Sequence, residues 1–239
     1  MTFVRDTPRV LSLARRRSFV ARHTRLRVVD GPDGVRLHLA DEVETLWPAT
    51  ERVLGIDGAP IPFWAFAWAG GLALARYIAE HPDEVRGQRV LDVATGSGLV
   101  AIAAARAGAE TVTAADIDPF AEAAVRLNAR ANGVHLAFTG RDLLASAPPA
   151  TDVVLCADAW YEGPLAARIT PWLSAAAAAG ARVLIGDPGR QYLPDPVAGG
   201  LAELARYEVH TTTILEDRER LEARVFAVVS AGDGYHPSR

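Results

Sequence analysis

From about residue 88 onward, short apolar stretches alternate with longer segments that have helical spacing. The apolar stretches predict strands at residues 90–93, 111–116, 134–138, 152–156 and 181–185. The segments between them predict helices at residues 99–105, 120–131 and 164–179. Because strands that alternate with helices form parallel sheets, this half of the chain predicts an α/β fold.

The C-terminal part departs from this alternation. It predicts a helix at about residues 197–205, followed by two strands at residues 207–214 and 223–229. Two successive late strands form the antiparallel edge of many mixed sheets. The expected fold class is therefore α/β: a Rossmann-like, seven-stranded, mostly parallel sheet with an antiparallel C-terminal edge and helices on both faces.

Residues 1–60 predict an N-terminal extension that packs on the main domain, which we place at residues 61–232. The extension begins with an arginine-rich stretch, residues 1–28, that predicts a short helix. A short strand is expected at residues 35–39. The arginines suit either a docking surface for an acidic protein or a solvated helix face, and both interpretations remain open.

The chain is centred on residues 90–99, where an apolar strand meets two glycines and continues into a helix. This order is typical of nucleotide-binding α/β units, because glycine lets the backbone turn sharply and approach a ligand. Asp116 ends the next strand, 20 residues beyond Gly96. At that spacing an acid reaches ribose hydroxyls, so we expect Gly96, Gly98 and Asp116 to bind a nucleoside.

The third position of a dinucleotide fingerprint is Ala101 here, not glycine. In addition, Asp92 lies on the strand before the turn, where an acid suits a cationic ligand and not a pyrophosphate. S-adenosylmethionine carries an ammonium and a sulfonium, so it is the cofactor we predict, with Asp92 among its contacts. The alternative is an ordinary turn with solvated acids at the strand ends.

Two further regions are candidate cofactor contacts. Residues 63–68 hold four aromatic side chains and precede a glycine pair, so they are either core packing or a wall beside the cofactor. We expect some of each, with Trp68 and Gly71 nearest the cofactor. Asp142 follows the third strand and is placed to accept a hydrogen bond from an adenine amino group; alternatively, it caps a turn.

The fourth strand ends in residues 158–161, which predict the acceptor side of the site. Asp158 can bind a substrate ammonium, and Trp160 and Tyr161 can form an aromatic channel around it. The alternative is a strand end with two packing aromatics. The six histidines are scattered and show no metal-ligand spacing, so we expect no metal.

Composition limits the classes of partner and the cellular compartment that we expect for this chain. The net charge is −4, so no overall positive field points to nucleic acid. All 25 basic residues are arginine. No apolar run approaches the about 18 residues of a membrane span. The single cysteine, Cys156, cannot form an intramolecular disulfide, which fits a reducing cytoplasm. We therefore expect a cytoplasmic protein without nucleic-acid or membrane partners; its oligomeric state stays open.

From about residue 19 to residue 229 the chain resembles the electron-transfer flavoprotein β-subunit lysine methyltransferase family, including its bacterial members. The resemblance is carried by Pro-Phe-Trp-Ala-Phe-Ala-Trp-Ala-Gly-Gly at 62–71, Val-Leu-Asp-Val-Ala-Thr-Gly-Ser-Gly at 90–98, Asp-Ile-Asp-Pro at 116–119, the D-x-x-Y at 158–161 and Ile-Gly-Asp-Pro-Gly-Arg at 185–190. It implies a class I methyltransferase domain, S-adenosylmethionine as cofactor, with Ile117 beside Asp116 among its contacts, and a protein lysine as acceptor.

The combined prediction is a protein-lysine N-methyltransferase that acts on the electron-transfer flavoprotein β-subunit. A neutral amine would attack the sulfonium methyl in line, with Asp158 binding and aiming that amine. Other acceptors remain open, namely a protein like ribosomal protein L11 or a small-molecule amine. So does a non-catalytic S-adenosylmethionine-binding module, whereas a dinucleotide oxidoreductase is disfavoured by the missing third glycine.

Overall fold

The computed structural model describes residues 9–29, 34–196, 199–211 and 220–229. The helices of these residues are α1 Leu13–His23, α2 Val43–Leu54, α3 Ala69–Glu80, α4 Leu99–Arg106, α5 Pro119–Ala131 and α6 Gly163–Ala178. The strands are β1 Arg25–Val28, β2 Arg36–Leu39, β3 Arg89–Val93, β4 Thr111–Ala115, β5 Ala137–Thr139, β6 Val153–Ala157, β7 Arg182–Asp187, β8 Leu201–His210 and β9 Arg220–Val228.

Seven of these strands form one sheet in the order β5-β4-β3-β6-β7-β9-β8. Strands β3 to β7 pair in parallel, whereas β9 runs antiparallel to both β7 and β8. The predicted fold class is therefore confirmed. Chain order reverses between β3 and β6, and in open α/β sheets such a reversal opens a ligand crevice at the carboxyl ends of the strands.

The central parallel strands β3, β6 and β7 are largely buried on both faces, which explains why most of their residues are apolar. Successive side chains of a strand point to opposite faces. Val90 and Leu155 accordingly pack with α3 and α4, while Leu91 and Val154 pack with α6. None of the helices in the described part of the chain is both long and apolar enough to cross a membrane.

The N-terminal residues pack along α5. Phe19 of α1 lies against Phe120 with ring centroids 5.1 Å apart, and Arg16 forms an ion pair with Glu122 at 3.2 Å. Strands β1 and β2 form a separate antiparallel pair. Other arginines of α1, such as Arg15, face outward, so the structure leaves both interpretations of the arginine-rich stretch open.

The predicted helix at residues 197–205 is wrong. From Leu201 onward the chain is strand β8, which pairs with β9 along its whole length and contains one bulge. The sequence here is rich in Ala, Leu and Glu, which favour helices. Pairing with β9 and burial of Ala202, Tyr207 and Val209 on one face override that local preference. Residues 197–198 and 212–219, which include the end of the predicted strand 207–214, lie outside the described residues.

Candidate active site

The side chain of Asp92, on β3, stabilises the glycine turn that follows this strand. This side chain is 1% exposed and accepts hydrogen bonds from the Thr95 hydroxyl and from the amide of Ala101 in the first turn of α4. Gly98 also faces the protein, since a Cβ there would lie 3.1 Å from Val125. The structure thus places Asp92 and Gly98 where they shape the turn, and Gly96 where the turn is partly exposed.

Replacing Asp92 with asparagine is expected to make the stability of the fold less dependent on pH. Burial raises the pKa of Asp92 to about 7 from its usual 3.8. Between these values the folded protein keeps a proton that the unfolded chain releases, so Asp92 lowers stability as pH rises from about 4 to about 7. Asparagine is neutral throughout and still offers an acceptor oxygen.

The free energy of unfolding of the Asp92→Asn variant, relative to wild type, should therefore rise by on the order of 2 kcal/mol between pH 5 and pH 8. Urea unfolding at both pH values measures this difference. A difference that is the same at both values would show that Asp92 is already ionised in the folded protein.

Asp116 joins the end of β4 to the glycine turn. Its Oδ2 accepts from the Gly96 amide at 2.9 Å, and its Oδ1 accepts from the Asp118 amide at 2.9 Å. Burial raises the pKa of Asp116, and these amides oppose the rise. Beside it, Ile117 is 70% exposed. The predicted pair of Gly96 and Asp116 is thus in direct contact, with an exposed apolar side chain next to it.

Asp142 begins a short helical turn after β5. Its Oδ1 accepts from the Leu144 amide at 3.1 Å, and its Oδ2 pairs with Arg168 at 2.6 Å. Asp142 therefore acts as a turn cap in this structure, which was the alternative to adenine binding. Because a carboxylate can accept about four hydrogen bonds, its contact with an adenine remains a prediction.

Three of the candidate aromatic side chains form a wall at the rim. The Phe63 ring lies 5.6 Å from the Trp68 ring and 4.8 Å from the Tyr161 ring, measured between centroids. The Trp68 indole also donates to the Phe63 carbonyl at 3.0 Å. A Cβ on Gly96 would lie 3.9 Å from that same carbonyl. We call Phe63, Trp68 and Tyr161 the aromatic wall; it borders the glycine turn.

Trp160 does not belong to this wall. It is 1% exposed, packs in the apolar cluster under α6, and donates its indole N–H to Thr170 at 3.0 Å. The prediction of an aromatic channel is therefore wrong for Trp160, because the turn at Asp158 directs its side chain into the core. Tyr161, which is 40% exposed, is left at the rim.

Asp158 lies at the centre of a buried polar cluster. Its φ of 54° is unusual for a residue with a side chain. Its Oδ1 accepts from the Gly70 amide at 3.1 Å and from Arg190 at 2.9 Å, and its Oδ2 accepts from the Gly71 amide at 2.7 Å. Burial raises the pKa of Asp158, while the Arg190 charge and both amides oppose the rise. Gly71 thus serves the site through its backbone.

Sequence reasoning missed two positions that organise this rim. Arg190 is one, because nothing in its spacing indicates that it turns back onto Asp158. The other is Asn128, which is fully buried on α5. It accepts from the His38 amide at 2.7 Å and donates to the Ser97 carbonyl at 2.8 Å. An asparagine among the apolar positions of a helix was the available signal.

These residues fit S-adenosylmethionine. The carboxylate of Asp116 has acceptor capacity for ribose hydroxyls, and the exposed side chain of Ile117 suits the adenine face. The rings of Trp68 and Tyr161 suit a sulfonium, since aromatic faces attract cations. Among the described residues, no group of three or more His, Cys, Asp or Glu side chains is arranged to hold a metal ion.

Comparisons with known proteins agree with this geometry. A sequence model of the family described as ribosomal protein L11 methyltransferase (PrmA) matches residues 76–157. The Xenopus laevis electron transfer flavoprotein beta subunit lysine methyltransferase is 35% identical over 214 residues, which cover 88% of this chain and 86% of the relative. The Rattus norvegicus protein of the same name is 37% identical over 171 residues, or 70% of this chain and 63% of the relative. The match thus spans just under two thirds of the rat protein.

A solved structure shares the fold. A candidate RNA methyltransferase of Pyrococcus horikoshii superposes with a TM-score of 0.55 at 13% identity, covering 72% of this chain and 91% of that one. At this level of identity the likeness concerns the architecture alone.

Proposed function

Because this chain belongs to the electron transfer flavoprotein beta subunit lysine methyltransferase family, we propose that it transfers methyl groups from S-adenosylmethionine to lysine side chains of the electron transfer flavoprotein β-subunit. The predicted family, cofactor and enzyme class agree with this membership. The identity of the acceptor is the proposed part of this function. It is supported by the names of the relatives, which are lysine methyltransferases of the electron transfer flavoprotein beta subunit.

The observation that best supports the proposal is the arrangement at the carboxyl ends of β3, β4 and β6. A nucleoside-binding half, with Gly96 and Asp116, adjoins an acceptor half, with Asp158 and Tyr161. Phe63 connects the two halves, because its backbone borders Gly96 while its ring contacts Tyr161. Adjacent halves of this kind let an amine approach a bound methyl donor.

The chain's residues can bind and orient the acceptor amine. A carboxylate accepts about four hydrogen bonds, and the protein supplies three of them to Asp158, so one position remains for an amine. The cofactor supplies an electrophilic methyl group. Neutralising a lysine of pKa about 10.4 near pH 7.4 costs about 4 kcal/mol. Tyr161, 40% exposed at the rim, would favour the neutral amine by excluding water, whereas the Asp158 carboxylate would favour the ammonium. The amine would therefore lose its proton to water as it approaches, and its lone pair would then take the methyl group as the cofactor's sulfur leaves.

One comparison names a second acceptor, ribosomal protein L11. The matched segment of the L11 methyltransferase family ends at residue 157, one residue before Asp158. The likeness therefore covers the cofactor half of the rim and stops short of the acceptor half. Ribosomal protein L11 therefore remains an alternative substrate without support from the acceptor half, as does a small-molecule amine.

Incubating the purified enzyme with methyl-labelled cofactor and cell extract separates these acceptors. We expect label in the protein fraction, in a band that antibody identifies as the flavoprotein β-subunit. Label in the ribosomal fraction would move the proposal to the L11 acceptor. Label confined to small metabolites would contradict protein methylation.

A further inference from the structure

The turn after β7 brings an arginine back to the acceptor half of the rim. Asp187, the last residue of β7, is fully buried, and its Oδ1 accepts from the amides of Gly189 and Arg190, both at 2.7 Å. Gly189 has a φ of 94°, which favours glycine. The backbone of Arg190 is therefore fixed, and its side chain is only 16% exposed.

The guanidinium of Arg190 contacts both the acceptor carboxylate and the aromatic wall. It donates to Asp158 Oδ1 at 2.9 Å, and it lies 5.5 Å from the centre of the Trp68 ring. Asp158 in turn holds the amides that begin α3, and Trp68 holds Phe63. The contacts of Arg190 thus link the end of β7 to both the carboxylate and the aromatic wall.

These contacts have unequal physical weight. An ion pair with side chains 16% and 10% exposed is shielded from water, so removing the cation leaves a buried carboxylate without its partner. Arg190 also supplies the cation on the Trp68 face, a weaker contact that fixes the direction of the ring. Loss of Arg190 would leave Asp158 held only by the Gly70 and Gly71 amides, and Trp68 by its hydrogen bond to Phe63, so both groups would be less firmly positioned.

We infer that Arg190 is a positioning residue for methyl transfer, which holds the Asp158 carboxylate and the Trp68 ring in the arrangement that receives the acceptor amine. This inference rests on the proposed function. Arg190 would act on methyl transfer through Asp158 and Trp68 and would not itself react. Because the proposed nucleoside contacts, Gly96 and Asp116, follow β3 and β4 and do not touch Arg190, the effect should fall mainly on turnover.

The test compares Arg190→Met, which keeps an unbranched apolar stem and loses the guanidinium, with Arg190→Lys, which keeps a positive charge. Arg89→Met is the matched control. Arg89 also forms an ion pair, with Asp152, but this pair lies at the amino ends of β3 and β6, away from the candidate site. Each enzyme is assayed with labelled cofactor and the flavoprotein β-subunit. Steady-state kinetics give kcat and KM, calorimetry gives the Kd of the cofactor, and a thermal melt gives the Tm.

Arg190→Met should lower kcat about tenfold or more, on the scale of a small misplacement of a reacting group, with the cofactor Kd within about threefold. Arg190→Lys should regain most of the turnover, and Arg89→Met should keep it. Wild-type turnover in Arg190→Met would overturn the inference. A variant in which kcat, cofactor affinity and Tm all fall together, with no recovery in Arg190→Lys, would also overturn the inference, because it would indicate a purely structural role. If the wild-type enzyme itself transfers no label, the proposed function is wrong, and the inference about Arg190, which rests on it, is wrong as well.

Discussion

Asp158→Asn is expected to lower methyl transfer by about a hundredfold, the scale of losing an aligned charged contact in the transition state. Asparagine keeps the size of the side chain but removes the charge opposite Arg190 and the free acceptor position of Oδ2. The affinity for S-adenosylmethionine should stay within about fivefold, because the proposed nucleoside contacts lie elsewhere on the rim. Initial rates and calorimetry on the same preparation measure both quantities.

The matched control is Asp152→Asn, at the opposite end of β6. Asp152 also pairs with an arginine, Arg89, but it lies at the amino ends of the strands. This variant should transfer methyl groups at the wild-type rate. An Asp158→Asn enzyme with full transfer activity would remove Asp158 from the acceptor site.

Asp116→Asn is expected to weaken cofactor binding at least about tenfold, since a hydrogen bond to a charged group contributes about 1.5–3 kcal/mol. The carboxylate of Asp116 is proposed to accept from the ribose hydroxyls. It also fixes the Gly96 amide, so its replacement loosens the turn under the nucleoside. Calorimetric titration with S-adenosylmethionine measures the loss.

Asp118→Asn controls for the loss of a partly buried carboxylate in the same loop. Asp118 caps α5 through the Phe120 amide, and asparagine caps helices equally well. This variant should bind the cofactor as wild type does. If Asp116→Asn is folded and binds with unchanged affinity, the ribose assignment is refuted.

The parallel half of the sheet was predictable because local and tertiary preferences agree there. Most residues of β3 and β6 are apolar and buried, which suits a strand covered by helices on either side. The segment at 201–205 was not predictable from local preference. Its composition favours a helix, and only pairing with β9, distant in sequence, makes it a strand.

For the site, sequence spacing predicted which side chains follow which strand, and therefore that Asp116 and Asp158 share one edge of the sheet. It could not predict where a side chain points after an irregular turn. The positive φ of Asp158 sends Trp160 into the core and leaves Tyr161 outside. The return of Arg190 onto Asp158 depends on the turn held by Asp187, a contact that no local pattern encodes.

The acceptor half is where a family member can differ from relatives in what it methylates. The cofactor half is fixed by short backbone contacts, as between Gly96 and Asp116. The proposed acceptor half is built from the partly exposed ring of Tyr161 and the carboxylate of Asp158. Changes at Tyr161 are therefore expected to alter which amine fits, whereas changes at Trp68, whose ring also suits the sulfonium, are expected to alter cofactor binding as well.

Peptide mapping of the acceptor shows directly whether this enzyme methylates lysines of the flavoprotein subunit. The purified protein is incubated with S-adenosylmethionine and the purified electron transfer flavoprotein β-subunit of the same cell, and peptides are then mapped by tandem mass spectrometry. This chain contains no lysine, so every methyl-lysine found must come from the acceptor. We predict methylation of one or more lysines of the flavoprotein subunit, lost in parallel reactions with Asp158→Asn. A folded, cofactor-binding wild-type enzyme that leaves every lysine of the subunit unmodified, while methylating ribosomal protein L11 or a small amine, would contradict the claim.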